Sequence, residues 1–288
     1  MKTPGVENRS VLITGCSSGI GAATARVLRA AGWQVIPTAR RAADLDRLRE
    51  AGFTPVRIDL ADAGSVDAAF AEATALAGGG LGALVNNAGF GQAGAQEDVA
   101  RDALRMQFEV NVFGMQQLAR LCIPGFRERG AGRIVNVSSV LGRVTLPMLG
   151  CYCASKYAME SLSDAMRMEL RGSGVWVSLV EPGPIVSAFR RTAATLLVER
   201  IDTGTARYGR AYEAEAERRR GREKRAGLIT RPPEAVAARI RHALESPFPR
   251  RRYRITLPAY AGDWIARLVP AAVTDRLLTR NMPRPEGR

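Results

Sequence analysis

The feature that most limits the fold of this chain is the alternation of short apolar runs with Ala-rich segments over its first 180 residues. Six runs are rich in Val, Ile and Leu and short enough to be buried strands: SVLIT, QVIPT, TPVRIDL, ALVNN, RIVNVSS and VWVSLV. The segments between them, such as GAATARVLRAAG and SLSDAMRMELRG, have helical periodicity, and several end in Gly. Because alternating strands and helices form a parallel sheet covered on both faces, we predict a doubly wound α/β fold.

The last third of the chain follows a different pattern. Residues 190–227 are helical in character and highly charged, without an apolar strand. RPPEAVAARIRHALES predicts a helix that begins at proline, RYRITL a last strand, and WIARLVPAAVTDRLLTR a terminal helical segment with an apolar face. Since no repeat or linker marks a second domain, we expect one domain over residues 1–288 with about seven strands.

Positive charge is concentrated in this last third. The net charge is +14 at pH 7, of which residues 1–189 carry +2 and residues 190–288 carry +12. The basic clusters ERRRGREKR and PRRRYR are of the kind that bind nucleic acid or an anionic membrane. No recognised nucleic-acid motif accompanies them, so we expect no nucleic-acid partner. The apolar terminal segment suits peripheral membrane contact, and the alternative is a solvated face beside a docked helix.

The sequence also bears on cellular location. No apolar run approaches the roughly 20 residues that a membrane span needs. The first ten residues, MKTPGVENRS, pass directly into VLITG and leave no room for the apolar region of a signal peptide. Four cysteines show neither metal-site spacing nor a disulfide framework: Cys16, Cys122, Cys151 and Cys153. We therefore expect a cytoplasmic protein with reduced thiols and no metal site.

A glycine-rich turn, TGCSSGIG, joins the first predicted strand to the first helix. In that position backbone N–H groups and the helix dipole can face a pyrophosphate. The glycines at 15, 19 and 21 do not follow the G-x-G-x-x-G order, so the strand before and the helix after carry the argument. The second strand ends in PTARR, with Arg40 and Arg41 where an NAD site usually has an acid. This pattern predicts NADP(H), with NAD(H) as the alternative.

These residues together resemble the classical short-chain dehydrogenase/reductase family over about residues 9–190. TGCSSGIG is similar to the family's T-G-x-x-x-G-x-G loop, NNAG (86–89) to its sheet-stabilising motif, and EPGPIVS (181–187) to its nicotinamide-side motif. Four positions match the catalytic tetrad: Asn111, Ser139, Tyr152 and Lys156. Ser139 takes the serine role rather than Ser138 because it lies 13 residues before the tyrosine. Within the family, the motifs are most similar to those of 17β-hydroxysteroid and retinol dehydrogenases.

The resemblance implies a Rossmann-type sheet and a set of cofactor-binding residues. That set is Gly15, Ser17, Ser18, Gly19, Ile20, Gly21, Arg40, Arg41, Asp59, Leu60, Asn87, Ala88, Gly89, Tyr152, Lys156, Pro182, Gly183, Ile185 and Ser187. Residues 9–190 would form the cofactor-binding and catalytic core, and residues 188–230 the substrate lid. Residues 231–288 would supply the last helix, the last strand and a basic terminal segment. The resemblance also implies a homo-oligomer formed through residues 111–128 and 152–171.

The tetrad residues have the chemistry that a carbonyl reduction needs. The nicotinamide supplies a hydride, so the protein must orient the substrate and supply a proton. Tyrosine has an unperturbed pKa of about 10, which a nearby cation lowers. Lys156 lies one helical turn from Tyr152 and is one of only three lysines, a compact charge that arginine would not replace. The resemblance further implies that Ser139 polarises the substrate oxygen and that Asn111 holds a relay water.

The combined interpretation is an NADP(H)-dependent oxidoreductase that interconverts a lipophilic ketone or aldehyde and its alcohol, with Tyr152 as general acid and base. One alternative is a reductase of carrier-bound 3-oxoacyl chains, whose basic last third would dock an acidic carrier protein. Another is a non-catalytic NADP(H)-binding regulator, which would be expected to lack a tetrad residue. The lone histidine, His242, lies outside every motif, and we assign it a structural role.

Overall fold

The computed structural model of the protein describes residues 5–220, 229–280 and 282. Among these residues, one sheet contains seven parallel strands in the order β3-β2-β1-β4-β5-β6-β7. The strands are β1 (Ser10–Ile13), β2 (Gln34–Ala39), β3 (Val56–Arg57), β4 (Ala83–Asn86), β5 (Gly132–Val137), β6 (Val175–Glu181) and β7 (Arg252–Arg254). The predicted doubly wound α/β fold of about seven strands is confirmed as a single Rossmann-type domain.

Eleven α-helices flank the strands within the same described residues. They are α1 (Gly19–Ala30), α2 (Ala42–Glu50), α3 (Ala63–Leu76), α4 (Arg101–Phe108), α5 (Gly114–Glu128), α6 (Gly150–Glu169), α7 (Phe189–Arg200), α8 (Gly209–Arg220), α9 (Pro233–Glu245), α10 (Leu257–Leu268) and α11 (Ala271–Leu278). A π-helical turn (Glu109–Phe113) separates α4 from α5, and a 3-10 turn (Val140–Gly142) follows β5.

The alternation of side chains along the strands divides the core into two apolar layers, one on each face of the sheet. In β1, Val11 and Ile13 pack with residues of α1, α2 and α9. Leu12 points to the other face and packs with residues of α3, α5 and α6. Because both faces of the sheet are covered, its strands are made of nearly continuous aliphatic residues, as the sequence shows.

The strand order reverses at β1, which pairs with β2 on one side and β4 on the other. In open parallel sheets, a ligand crevice forms at such a point, beyond the carboxyl ends of the strands. Thr14 N, just after β1, donates to Val85 O in β4 at 3.0 Å, and Ser138 N, after β5, donates to Val180 O at 2.8 Å. The loops that carry the sequence motifs therefore leave the sheet at one shared edge.

Several element boundaries follow from single residues. Asp62 caps α3 by accepting hydrogen bonds from Gly64 N and Ser65 N. The predicted proline at the start of the late helix is Pro233, the first residue of α9. The predicted terminal segment is two helices rather than one, because Pro270 cannot continue α10 and instead precedes α11.

The two edge strands are shorter than the apolar runs that predicted them. TPVRIDL forms only the two-residue β3, and RYRITL only the three-residue β7. Each edge strand has one neighbour, so fewer hydrogen bonds extend it.

All four cysteines are buried free thiols. No helix in the described parts of the chain combines the length and apolar character that crossing a bilayer requires.

Candidate active site at the carboxyl edge of the sheet

The glycine-rich turn after β1 is built by close backbone approach. Gly15 has a φ of 73°, a conformation that favours glycine, and a Cβ added there would lie 2.8 Å from Ala88 Cα. A Cβ added at Gly21 would overlap the carbonyl oxygen of Gly15. The turn thus folds tightly onto itself and onto the NNAG segment because these positions have no side chain.

The first turn of α1 is open to an anion. Ser18 precedes the helix, and its side chain makes no capping hydrogen bond. Ser17 and Ser18 are exposed. Because Ser18 makes no capping bond, the first N–H groups of α1 donate no hydrogen bond to its side chain. An open helix N-terminus beside a glycine cradle is the arrangement that binds a pyrophosphate. The residues present therefore fit the diphosphate of a dinucleotide.

The NNAG segment ties this turn to β4. Thr14 Oγ1 accepts hydrogen bonds from Asn87 N and Ala88 N, each at 2.9 Å. The Asn87 side chain donates to Thr14 O at 2.9 Å and to Gly15 O at 3.1 Å. Asn86 donates to Asn136 Oδ1 in β5 at 2.9 Å. These bonds fix the crevice floor across three strands, in keeping with the sheet-stabilising role that the resemblance implies.

The two arginines after β2 differ in their surroundings. Arg41 Nε lies 2.7 Å from Asp44 Oδ2, and this ion pair raises the pKa of Arg41. Arg47 also pairs with Asp44, a buried carboxylate whose pKa its arginines lower against the opposing effect of burial. Arg40 is exposed and has no ion-pair partner in the described part of the chain. Arg40 is therefore the better placed of the two to receive an additional anion.

Asp59 and Leu60 follow β3 but face different surroundings. Asp59 is partly buried, and its Oδ1 accepts a hydrogen bond from Ala61 N at 3.1 Å. Leu60 is buried in the apolar layer beneath the sheet, and its backbone lies against Gly114 at the start of α5. If Leu60 contacts a cofactor, the contact is through its backbone rather than its side chain.

The four predicted tetrad residues come together at the carboxyl edge of the sheet. Ser139 follows β5, and its hydroxyl hydrogen-bonds the hydroxyl of Tyr152 on α6. Lys156, one turn further along α6, has its Nζ 5.9 Å from the centre of the Tyr152 ring. A Cβ added at Gly89 would lie 3.0 Å from Asn111 Oδ1 and 3.7 Å from Lys156 Nζ. A side chain at position 89 would therefore crowd the Asn111 amide.

The π-helical turn sets the position of Asn111. Its Oδ1 accepts from Phe90 N at 3.1 Å, and its Nδ2 donates to Phe90 O at 3.0 Å and to Ser155 Oγ at 3.1 Å. A π turn widens the backbone and often occurs at functional sites. Asn111 therefore lies inside a long helical segment rather than at a helix start, and it links the NNAG loop to α6.

Burial governs the electrostatics of this group. It raises the pKa of Tyr152 to about 12, against the smaller lowering effect of the Ser139 hydrogen bond. It lowers the pKa of Lys156 to about 8, against the field of Glu160. The lysine was expected to lower the tyrosine pKa, and the structure differs: Lys156 Nζ donates to Val137 O at 2.8 Å. The Tyr152 ring is covered by Phe189, with ring centres 5.2 Å apart.

The EPGPIVS segment closes the other side of the crevice. Pro182 O accepts from Val140 N at 2.9 Å, which joins this segment to the turn after Ser139. A Cβ at Gly183 would overlap Thr256 Oγ1, and Ile185 forms a β-bridge with Arg231. Ser187 Cβ would lie 3.4 Å from a Cβ at Gly19. The nicotinamide-side motif and the start of α1 are therefore neighbours across the crevice.

A buried charge network behind Lys156 was not anticipated from the sequence. Arg252 of β7 pairs with Glu160 at 3.0 Å, with Asp164 at 2.6 Å and with Glu181 at 2.9 Å. Burial and the charge of Glu181 raise the pKa of Glu160. The cluster PRRRYR is thus not a uniformly solvated face, because Arg252 and Arg254 both pair with Glu181. The one sequence signal was Glu160, one helical turn beyond Lys156.

The predicted lid region contains α7 and α8. Tyr212 of α8 donates to Asp98 Oδ2 at 2.5 Å and accepts from Ala95 N at 2.8 Å. It packs with Ala93, Leu197, Ile201 and Tyr208 in a small apolar cluster separate from the two core layers. The other basic cluster, ERRRGREKR at 217–225, lies mostly outside the described residues. Among the described residues of the predicted lid, Phe189 at the start of α7 packs against Tyr152 of the tetrad.

Comparison with known proteins agrees with this geometry. A family model described as short chain dehydrogenase matches residues 9–195. The chain is 41% identical over 277 residues to the uncharacterized oxidoreductase YbbO of Escherichia coli K12, covering 95% of each. It is 34% identical to 17-beta-hydroxysteroid dehydrogenase type 6 of Rattus norvegicus, covering 97% of this chain and 90% of the relative. It is 32% identical to the NADPH-dependent 3-dehydrocapnine reductase of Ornithobacterium rhinotracheale, covering 96% and 98%.

The family model covers well over half of the chain, and the relatives align along nearly all of it. The resemblance inferred from the sequence motifs is confirmed. The chain belongs to the short-chain dehydrogenase/reductase family, as an oxidoreductase that uses a nicotinamide dinucleotide and is related to the hydroxysteroid and retinol dehydrogenase subgroup.

Proposed function

We propose that the protein reduces a lipophilic ketone or aldehyde to its alcohol with NADPH, and that Asn111, Ser139, Tyr152 and Lys156 carry the reaction. The observation that supports this most is the convergence of these four side chains at the crevice edge. The non-catalytic alternative is disfavoured because no member of the tetrad is displaced from the group.

The residues divide the work of one reduction. When bound, the cofactor supplies the hydride that reaches the carbonyl carbon. The Ser139 hydroxyl hydrogen-bonds the carbonyl oxygen and polarises it. Tyr152 then transfers its phenolic proton to that oxygen, which completes the alcohol and leaves a phenolate. The Lys156 ammonium stabilises the phenolate. Asn111 lies beside Gly89 and Lys156 and orients this region, through which a proton returns to Tyr152.

The pKa directions suit reduction near neutral pH. A Tyr152 pKa of about 12 keeps the phenolic proton in place until the carbonyl oxygen takes it. A Lys156 pKa of about 8 keeps the ammonium mostly charged at pH 7, and the charge is lost as pH rises through 8. The direction in the cell follows the ratio of reduced to oxidised cofactor, and a pool rich in NADPH drives reduction.

The NADP(H) preference rests on Arg40. Arg41 is engaged by Asp44, whereas Arg40 is exposed and unpaired in the described chain, beside the end of β2. One relative is named as NADPH-dependent, which favours the same cofactor. Arginine binds a phosphate group through paired N–H donors, so a 2′-phosphate is the anion that fits here.

The test is a fluorescence titration with NADPH and NADH on wild type, Arg40→Ala and the matched control Arg41→Ala. We expect Arg40→Ala to weaken NADPH binding roughly 10- to 100-fold, the equivalent of about 1.5–3 kcal/mol, and to leave NADH binding unchanged. Arg41→Ala should have a smaller effect. Tighter NADH than NADPH binding by wild type would contradict the cofactor proposal while leaving the oxidoreductase assignment intact.

The lipophilic substrate class is supported by the surroundings of Tyr152. Phe189 covers the tyrosine ring, and the lid packs through an apolar cluster that includes Leu197 and Ile201. A relative is named for hydroxysteroids, which are lipophilic. A panel of free lipophilic carbonyls against their carrier-linked 3-oxoacyl counterparts separates this proposal from the acyl-carrier alternative. Activity on the carrier-linked compounds alone would overturn it.

We also propose that the protein forms a homo-oligomer and acts in the cytoplasm. Large apolar side chains are exposed on the helices named for this role: Phe113, Tyr157, Leu162 and Met168. Burying them against a second copy would remove them from water. Buried free thiols suit a reducing compartment. Light scattering measures the mass directly, and a monomer at micromolar concentration would contradict the oligomer.

A further inference from the structure

The last two helices, α10 and α11, each expose large apolar side chains. Gly262 and Ala259 of α10 face the protein, and a Cβ added at Gly262 would lie 2.8 Å from Val140. The opposite side of α10 presents four exposed large apolar residues: Leu257, Tyr260, Trp264 and Leu268. Their spacing of three, four and four residues places them along one stripe of the helix.

Helix α11, which follows α10 after Pro270, also exposes apolar side chains. Val273 and Leu277 are exposed one turn apart, and none of its eight residues, all of them described, is buried. Isolated helices this short are not stable in water, and most gain their stability from a packed apolar face. Trp264 is 62% exposed and Leu268 is 70% exposed, values unusual for side chains of this size. We call these two helices and their six exposed side chains the terminal patch.

The charges beside the terminal patch indicate what covers it. Arg276 and Arg280 are exposed next to Val273 and Leu277. The acidic residue within α11 is Asp275. Residues 190–288 carry a net charge of +12, against +2 for the rest of the chain. Trp and Tyr favour the boundary between lipid and water, and arginines beside an apolar helix face attract anionic headgroups.

We propose that the terminal patch binds peripherally to an anionic lipid bilayer. The six apolar side chains enter the headgroup boundary, while Arg276 and Arg280 contact the phosphates. This binding stands apart from the reaction chemistry. Its consequence for the substrate rests on the proposed function: α10 packs on the turn that follows Ser139, and Met282 packs beside the Tyr208–Tyr212 lid cluster. A patch seated on a bilayer would therefore bring the crevice close to dissolved lipophilic carbonyls.

The experiment is co-sedimentation of the full-length protein with vesicles of phosphatidylcholine and phosphatidylglycerol in equal parts, and with pure phosphatidylcholine. We expect binding to the anionic vesicles that falls with added salt. Trp264→Ser should weaken it about tenfold or more, and the double variant Arg276→Gln, Arg280→Gln roughly tenfold. Phe248→Ser is the matched control, because Phe248 is 59% exposed and lies outside both the patch and the proposed oligomer surface.

Trp264 also reports its own insertion. It is exposed, whereas Trp33 is buried and Trp176 is partly buried, so anionic vesicles should shift the protein's emission to the blue. Trp264→Phe should keep vesicle binding and lose the shift. Equal losses in Phe248→Ser and Trp264→Ser, or no binding to anionic vesicles, would overturn the proposal. So would light scattering that shows a dimer weakened by Trp264→Ser, which would assign the patch to a second copy. NADPH binding is measured on each variant, so a failure of the enzyme assignment is detected separately.

Discussion

The sheet edge that holds the tetrad and the terminal third of the chain differ in how firmly their side chains are held. At the sheet edge, polar side chains such as Thr14, Asn87 and Asn111 are held by two or three hydrogen bonds each. The terminal third instead exposes Trp264 and Leu268 and carries most of the net charge. Atoms that must be placed accurately lie where packing and hydrogen bonds fix them. Surfaces that bind variable partners lie where few contacts fix the side chains.

The two regions nevertheless meet behind the tetrad. Arg252 comes from the terminal third, yet its guanidinium lies between Glu160 and Glu181, one helical turn behind Lys156. Glu160 in turn acts to raise the pKa of Lys156. The last strand therefore contributes to the electrostatics of the tetrad, although its sequence resembles a solvated basic run.

The largest expected effect concerns the proton donor at the sheet edge. Tyr152→Phe removes the phenolic proton, so we expect turnover of a lipophilic ketone to fall roughly 10²- to 10⁴-fold with NADPH binding nearly unchanged. Tyr157→Phe is the matched control, because Tyr157 is on the same helix but is exposed. Steady-state kinetics and cofactor titration check both variants. Full activity in Tyr152→Phe would contradict the assignment of the proton donor to the sheet edge.

The second prediction concerns stability and pH. Lys156 has a pKa of about 8 in the folded protein, below the 10.5 of an exposed lysine, so folding disfavours its charged form. Below pH 8 both states hold the proton, and the full cost of up to about 3 kcal/mol is present. Between pH 8 and 10.5 the unfolded chain keeps the proton that the folded protein has lost, so stability rises with pH.

Lys156→Met should therefore be inactive yet more stable than wild type at pH 7, by on the order of 1–3 kcal/mol. Its advantage should shrink as pH rises through the window from 8 to 10. Urea denaturation of both proteins at several pH values measures the difference. A variant less stable than wild type at pH 7 would show that the Val137 and Glu160 interactions outweigh the cost of burial.

The smallest effect separates the lid from the sheet edge. Phe189→Ala removes an aromatic side chain that covers Tyr152 without touching the phosphate turn. We expect the KM for the ketone to rise about tenfold, with the NADPH Kd within about twofold, because lost apolar contact affects the substrate alone. Phe248→Ala, at an exposed aromatic after α9, is the control. A fall in kcat with KM unchanged would instead make Phe189 a residue that positions Tyr152.

Much of the fold could be predicted because its signals are local. Apolar runs such as SVLIT and ALVNN are short and buried on both faces, and they became β1 and β4. Boundaries were less well predicted where non-local pairing decides them: β3 and β7 are edge strands and stop early. Pro270 divided a segment that the periodicity alone would have joined.

By itself, the sequence determined the doubly wound sheet, because the periodicity of apolar residues is a property of neighbouring residues. Its resemblance to the family supplied the predicted phosphate turn and the predicted tetrad residues. Only the tertiary structure decided that Arg41 is engaged by Asp44 while Arg40 is open, and that Arg252 pairs with two buried glutamates. It also decided that burial, rather than Lys156, governs the pKa of Tyr152. Charge pairing and desolvation depend on groups that are distant along the chain, and only folding brings those groups together.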